Sequence, residues 1–389
     1  MKLAYVTPRW GTEIVGGAEN AARSLAEHVV SELGWEVEAL TTCAIDNRTW
    51  ANELAPGTFE LNGVTVHRFA SKSGRDPGFD RFSRKIMQQP FRAAPRDQER
   101  WITLQGPHNP ALLDAVRESD ADLLAFGPYL YEPAVRGIPL VADRAVFHPA
   151  AHEEQPIHLP IYRRIFTGAR GLAFYSDAER RLVERLFPVA SAPQIVLGAG
   201  IDEVRGDPDA ARAALGLGDR PYLHYQGRVD AGKGTTMLAS FFAAYKERRP
   251  GPLALVLAGP VDDAPPPHPD IVVPGVLDPA LMHGVFRGST VYVHPSAYES
   301  LSITLLDAWE AARPALVNGT CDVTREHCQR SHGGLWFDGY ASFEVAVDRL
   351  LGDAELRDRL GTAGREYVET HYRWPALLKR YESFLHSLA

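Results

Sequence analysis

The chain has 389 residues, of which 45% are hydrophobic and 23% charged, and a formal net charge of -8. That length allows two or three domains, each large enough to bury its own core without a disulfide framework. The acidic balance argues against nucleic acid as the main partner, because such binding draws on Lys and Arg clusters that neutralise phosphates.

The three cysteines, Cys43, Cys321 and Cys328, form no C-x-x-C pair. Neither a secreted disulfide scaffold nor a zinc ribbon is indicated, and reduced thiols in a cytosolic protein are expected. The opening "MKLAYVTPRW" is too short in its apolar run for a signal-peptide core. No stretch approaches the roughly 18 to 20 apolar residues of a spanning helix.

In chain order, "KLAYV" reads as a buried parallel strand. The run "GAENAARSLAEHVVSELG" places Ala18, Ala21, Ala22, Leu25, Val29 and Leu33 on one helical face, stopped by Gly34. "WEVEALTT" completes a βαβ unit, and "FELNGVTVHRF" carries an Asn-Gly pair that predicts a hairpin or a tight bend. Further strands are expected at "ADLLAFG", "IPLVAD", "GLAFYS" and "QIVLG". The segment Glu203 to Pro221, rich in Asp, Gly and Pro at both ends, is the candidate boundary.

Past it the pattern restarts: strand "PYLHYQG", helix "TTMLASFFAAYKERR", strand "LALVLAG", short strand "DIVVPG", helix "PALMHGVFRG", strand "TVYVHPS", a helix after Ser302, and strand "PALVN". Two amphipathic helices follow, one through Phe343, Val347 and Leu350 and one after Pro375. Alternating strands and helices predict mostly parallel sheets covered on both faces. The expected fold class is therefore α/β with two Rossmann-like, doubly wound domains facing each other across a cleft, one over 1–203 and one over 204–374. Ligands of such sheets sit outside the carboxyl ends of the strands, so the chemistry is sought in the loops that follow them.

Four such loops carry candidates. "RWGTEIVGGAEN" lacks the G-x-G-x-x-G spacing, which disfavours a nicotinamide enzyme, but puts Gly16 and Gly17 at a helix start suited to an anion. "QGRVDAGKGTT" nearly spells a P-loop, yet Gly234 stands where a Ser or Thr would hold magnesium. It keeps two cations, Arg228 and Lys233, suited to a diphosphate without a metal. In "HPSAYESLSITLLDAWEAARPALVNG", Ser302 or Thr304 can cap a helix, with Glu299 before the cap and Asp307 about one turn inside. In "FHPAAHEEQP", His148 and His152 are four apart, but Pro149 spoils the helix that would align them on zinc, and no third ligand is evident. Taken singly, each loop also has a plain reading as a turn, a solvated face or ordinary loop histidines.

Together, "YQGRVDAGKG", "VVPGVL" and the Glu299 segment, in this order and at these separations, resemble the second half of the retaining glycosyltransferases of family four, which have the two-domain GT-B fold and an E-x7-E motif. The Gly-Gly-Ala-Glu loop, "HPAAHEE", "YSDAERRLV", "VLGAGID" and "GREYVETHYRW" agree with the same family over nearly the whole chain.

The resemblance implies that Glu299 contacts the donor sugar, Asp307 the nucleotide ribose, and Arg228 and Lys233 the diphosphate. Backbone N–H groups near Gly16 and Gly17 and over Ser300, Leu301, Ser302 and Ile303 would assist, and Gly275 and Val276 would line the base site. It favours His152 over His148 as the active-site histidine, and has the last helix, 375–389, pack back on the first domain. Asp307 stands where the family usually has glutamate, Ser300 and Ser302 replace two common glycines, and Thr304 a common proline.

Breaking a sugar-phosphate bond leaves negative charge on the diphosphate, which placed donors stabilise. One carboxylate without a second about 5 Å away fits transfer rather than retaining glycoside hydrolysis. The implied activity is a metal-independent, anomer-retaining transfer of sugar from a nucleotide-diphosphate donor, expected to be UDP-linked, to a carbohydrate, lipid or small-molecule acceptor, with no cofactor. The competing readings are a sugar-nucleotide epimerase, a glycoside phosphorylase, and a nucleotide-sugar-binding protein without turnover. Residues 79–96 carry five cations against one acid, with Phe79, Phe82 and Ile86 able to share a helix face. They read first as a basic loop, with peripheral contact to an anionic membrane as the alternative.

Overall fold

The computed structural model describes residues 1–14 and 16–389. The chain divides into two compact units, Met1–Gly200 with Pro375–Ala389, and Ile201–Trp374. In the first, strands β1 (Lys2–Val6), β2 (Glu36–Thr42), β3 (Gly57–Leu61), β4 (Val64–Phe69), β5 (Leu123–Phe126), β6 (Ala145–Phe147), β7 (Gly171–Phe174) and β8 (Gln194–Val196) form one sheet in the order β3-β4-β2-β1-β5-β6-β7-β8. Its pairings are parallel except β3 with β4. That pair is joined through Asn62 and Gly63, both at positive φ (51° and 81°), the geometry of a primed hairpin turn.

The second unit contains β9 (Tyr222–Gln226), β10 (Ala254–Ala258), β11 (Ile271–Gly275), β12 (Val291–His294), β13 (Ala315–Asn318) and β14 (Gly334–Phe337), all parallel, in the order β11-β10-β9-β12-β13-β14. Alternate residues enter two cores. Leu223, Tyr225, Leu255 and Leu257 pack with the helices Thr235–Arg248 and Tyr340–Gly352, while Tyr222, Ala254 and Val256 pack with Pro208–Ala214 and Pro279–Gly288. Burial on both faces is why these strands read as unbroken apolar runs. The strand order reverses at β9/β12, and in the first unit at β1/β5, which are the switch points beside which doubly wound sheets bind ligands.

Two expectations are corrected. "IPLVAD" is not a strand: Ile138–Leu140 is a 3-10 turn after the helix Glu132–Gly137, and the strand is Ala145–Phe147. Pro139 has no N–H for a central ladder, whereas Ala145, Val146 and Phe147 are fully buried. The loop bearing both histidines therefore follows β6.

Residues Phe79–Ile86 are a helix whose apolar face is already occupied. Phe79 and Ile86 lie in the core, Phe82 packs against it, and the Phe79 and Trp101 rings are 5.3 Å apart. Outward stand Arg81, Arg84, Lys85, Arg92, Arg96 and the 63% exposed Phe91. Among the described residues no helix is long and apolar enough to cross a membrane.

Candidate functional site

At the β9/β12 switch point two loops meet. The loop after β9, Gly227 to Gly234, is shaped by Asp230, whose Oδ1 accepts from Lys233 N at 2.7 Å. Gly234 is left-handed (φ 77°), and a Cβ there would lie 2.6 Å from the carbonyl oxygen of Pro295 in the loop after β12. That close approach is the physical reason why the P-loop hydroxyl is missing at this position: only glycine fits. The approach brings Lys233 Nζ to 2.7 Å from Glu299 Oε1.

Glu299 is held from a second side by His294 at the end of β12, with Nε2 3.2 Å from the same Oε1. Burial opposes ionisation of Glu299, but the Lys233 ammonium and His294 more than offset it and hold the carboxyl well below the usual carboxylate range. The residue carries its negative charge throughout the neutral range.

Ser302 is the N-cap of the helix Ile303–Glu310, yet its hydroxyl caps nothing. It sits in the left-handed region at φ 72° with Oγ 3.4 Å from His294 Nε2. Thr304 does not cap either: its Oγ1 is 2.7 Å from the hydroxyl of Tyr292, which is 3.1 Å from His294 Nδ1. The expected capping role of these residues is therefore replaced by contacts to the histidine network, and the helix start keeps N–H groups without a side-chain partner. The helix Thr235–Arg248 behind Lys233 likewise begins without a side-chain cap, whereas Pro279–Gly288 is capped by Asp278.

Asp307 lies one turn inside its helix and is half-buried. Burial first, then the neighbouring charges of Asp202 and Glu310, push its carboxyl up to about 7. Glu310 itself is buried and paired with Arg373 at 2.8 Å. Arg228 is the outlying member of the group. Its guanidinium faces Asp230 (3.4 Å) and Asp262 (3.9 Å) and is 43% exposed, so these pairs hold it weakly. Gly275 ends the edge strand β11 with φ 78°, and Val276 beyond it is 66% exposed.

In the N-terminal unit, Gly16 precedes the helix Gly17–Leu33, which has no side-chain cap. A Cβ on Gly16 would come within 2.5 Å of Glu19 Oε2 and 2.8 Å of Arg9 Nη2, because the buried Arg9–Glu19 ion pair (2.6 Å) lies against the turn. The two histidines are placed differently. His148 is a core residue: Nε2 is 3.1 Å from Tyr381 Oη, and burial pushes its pKa down to about 4. The His152 side chain is 30% exposed, with Nε2 3.6 Å from Glu154 Oε1. Among the described residues no group of three or more His, Cys, Asp or Glu side chains is arranged to hold a metal.

Three functional neighbours were missed in the sequence. His294 and Tyr292 look like any strand residues, and only their alternation with apolar Val291 and Val293 marks them as facing elsewhere. Glu179 sits in the first turn of Asp177–Leu186 and accepts from the backbone N–H groups of Ala151 and Tyr175, both at 2.6 Å, so it fixes the loop beside His152. Burial pushes its carboxyl up to about 8, against the pull of those backbone donors.

The family model described as "Glycosyl transferases group 1" matches residues 207–367. Among curated proteins, a GDP-mannose-dependent alpha-(1-6)-phosphatidylinositol monomannoside mannosyltransferase of Mycobacterium tuberculosis is 28% identical over 271 residues, 61% of this chain and 67% of that protein. An alpha-D-kanosaminyltransferase of Streptomyces kanamyceticus is 28% identical over 265 residues, with the same coverage of 61% and 67%.

Among solved structures, sucrose-phosphate synthase from Thermosynechococcus elongatus superposes with a TM-score of 0.75 at 16% identity, covering 100% of this chain and 98% of that one. HepE of Anabaena, in complex with UDP and glucose, does so with 0.70 at 13% identity, covering 100% of both chains. At such identities the structural likeness speaks for the fold, and the sequence matches speak for the class of enzyme. Residues 207–367 match the group 1 glycosyl transferases, and the chain is a glycosyltransferase with the GT-B fold.

Proposed function

We propose that the protein moves a hexose from a nucleoside-diphosphate donor, UDP-linked, to an acceptor hydroxyl with retention of anomeric configuration and without a metal. The single observation that supports this reading best is the Lys233–Glu299 pair at the switch point of the second sheet. In this reading Lys233 and Arg228, with the uncapped helix starts at Thr235 and Ile303, meet the negative charge that grows on the leaving diphosphate. Glu299 faces the donor sugar, Asp307 the ribose, and Gly275 and Val276 the base. For the N-terminal unit the reading assigns His152 to substrate orientation and the Gly16–Gly17 turn to an anion.

Nucleotide release in the presence of acceptor tests the assignment. Glu299→Ala and Lys233→Ala are each expected to lose about 100-fold or more in kcat, the cost of removing one preorganised charge partner. Wild-type turnover is expected to survive a chelator. Undiminished turnover in both variants overturns the reading.

A second reading concerns the base: the mycobacterial relative is named for GDP-mannose, which favours a guanine nucleotide. Thermal shift with UDP-glucose against GDP-mannose separates the two, since a bound donor raises the melting temperature by mass action. Peripheral membrane contact through 79–96 is proposed on Phe91 and the five exposed cations alone. Co-sedimentation with anionic but not neutral vesicles is its expected outcome.

A further inference from the structure

The carboxylate at the centre of the site has one partly exposed and one buried partner. Lys233 reaches Glu299 from a glycine-rich loop, on a flexible stem 33% exposed. His294 reaches it from the end of a buried strand and is 3% exposed. Its ring is gripped on the far side: Thr304 Oγ1 and Tyr292 Oη are 2.7 Å apart, and Tyr292 Oη and His294 Nδ1 3.1 Å. A hydroxyl both donates and accepts. The Thr304–Tyr292 pair therefore serves a neutral ring, by donating along the chain to Nδ1, and a protonated ring, by accepting from it. In both states Nε2 carries the proton that points at Glu299 Oε1. Ser302, strained into a left-handed N-cap, places Oγ 3.4 Å from that same Nε2.

We propose that His294 is the positioning residue that keeps Glu299 charged and oriented when Lys233 is drawn to the donor diphosphate. The proposal rests on the glycosyltransferase reading given above. A carboxylate only 14% exposed whose lysine turns to another anion loses most of its compensation, which costs far more than it would for an exposed charge. The histidine, locked through Tyr292 and Thr304, supplies the donor that remains. The other titratable neighbours cannot take this part. Tyr225 donates its hydroxyl proton to the Arg228 carbonyl oxygen at 2.9 Å, and the Tyr292 hydroxyl is engaged with Thr304 and His294. Asp307 is another acid, and the buried Cys321 thiol is pushed up by desolvation.

The test has two arms. In steady-state kinetics, His294→Phe is expected to lower kcat by about 10- to 100-fold, the worth of a hydrogen bond to a charged group. Donor KM is expected to change less than about threefold, with the acidic limb of the kcat profile moving to higher pH. His294→Gln, which returns an N–H at similar reach, restores most of the rate, and Thr304→Val shows a milder loss in the same direction. Loss of kcat with no movement of the acidic limb and no rescue by Gln overturns the proposal.

The second arm does not need turnover. Carbon-13 glutamate NMR, with Glu299 assigned by difference from Glu299→Gln, follows its ionisation in Lys233→Met and in Lys233→Met/His294→Gln or Phe. The carboxyl is expected to stay ionised below pH 4 in Lys233→Met and in the Gln double variant, and to titrate at higher pH in the Phe double variant. The same titration in all three overturns it. A wild-type protein that turns over no donor defeats the transferase reading alone, while this arm still decides the role of His294.

Discussion

Asp307 is an acid in an acid's neighbourhood. Its carboxyl is raised to about 7 by burial and by Asp202 and Glu310, against about 4 for an ordinary aspartate. The fold thus favours the protonated form. That contribution to stability is fully present below about pH 4 and is lost as pH rises through about 7. Asp307→Asn keeps the shape without the charge, so its advantage over wild type is expected to grow from pH 5 to pH 8. The site is half-open to solvent and the effect is screened, to about 1 kcal/mol or about 2–4 °C in Tm at pH 8. Scanning calorimetry at the two pH values checks it, and a wild type more stable than the variant at pH 8 sinks it. If the ribose is held by an ionised carboxylate, wild-type donor affinity also falls below pH 7 while that of Asp307→Asn stays low and flat. Glu299, Lys233 and Asp307 stood out in the sequence because each follows a strand. What that pattern cannot reveal is partnership: Lys233 and Glu299 are 66 positions apart, and the loop contact that joins them depends on a missing side chain at Gly234. His294 was invisible for a related reason, since a histidine closing an apolar strand has no local mark of its role.

The helix that carries Ser302 and Asp307 is held from behind by another whose contact face includes two glycines beside Tyr367. Ala354–His371 lies against Ile303–Glu310. A Cβ on Gly364 would fall 2.3 Å from Trp309 Cδ1, and one on Gly361 2.2 Å from the Ala312 carbonyl oxygen. Trp309 is fully buried with Nε1 2.9 Å from the Gly333 oxygen, so it has no room to yield. Gly364→Ala is therefore expected to destabilise the C-terminal unit by about 1–3 kcal/mol through overpacking, although alanine is the better helix former. Donor affinity is expected to fall with it, because the displaced helix bears the site. Gly352→Ala, with nothing within 4 Å of the added atom, is the control and stays neutral or gains slightly. Equal Tm values for the two variants refute the packing argument. At this scale the sequence was most legible where burial is simplest: parallel strands covered on both faces appear as apolar runs, and Asn62-Gly63 announced its hairpin. It failed at "IPLVAD", where the run is apolar but Pro139 denies the ladder its donor. The meeting of two helices through Gly361 and Gly364 has no local signature, since a glycine in a helix reads as a weakness until its neighbour is known.

On the scale of the whole chain, the two units differ in how they are cut from the sequence. Ile201–Trp374 is one continuous segment, while the other unit needs Pro375–Ala389 returned to it across the entire second unit. That returning segment is integral to the first unit's core. Tyr381 Oη lies 3.4 Å from Tyr5 Oη and 3.1 Å from His148 Nε2, Arg380 Nη2 donates to the Leu197 oxygen at 3.1 Å, and Phe384 and Leu388 approach so near to Gly171 that a side chain there would collide with both. Burying an aromatic or leucine side chain contributes about 1.5–3 kcal/mol, so Tyr381, Phe384 and Leu388 together rival the roughly 5–15 kcal/mol by which a domain is stable at all. A fragment of residues 1–200 is therefore expected to show no cooperative melting transition, and to regain one when the peptide 375–389 is added in trans. The fragment 201–374, continuous and with both of its cores intact, is expected to melt cooperatively alone. It should also bind the donor nucleotide, with Lys233→Ala abolishing that binding, because Lys233, Glu299 and Asp307 all lie inside it. Cooperative folding of 1–200 without the peptide would show that the tyrosine contacts are ornamental. The pairing of Tyr5 with Tyr381, 376 positions apart, also shows why composition and periodicity fix each unit's layers yet leave the final helix unassigned: its apolar stripe demands a partner, and in the sequence only the family resemblance pointed to the first unit.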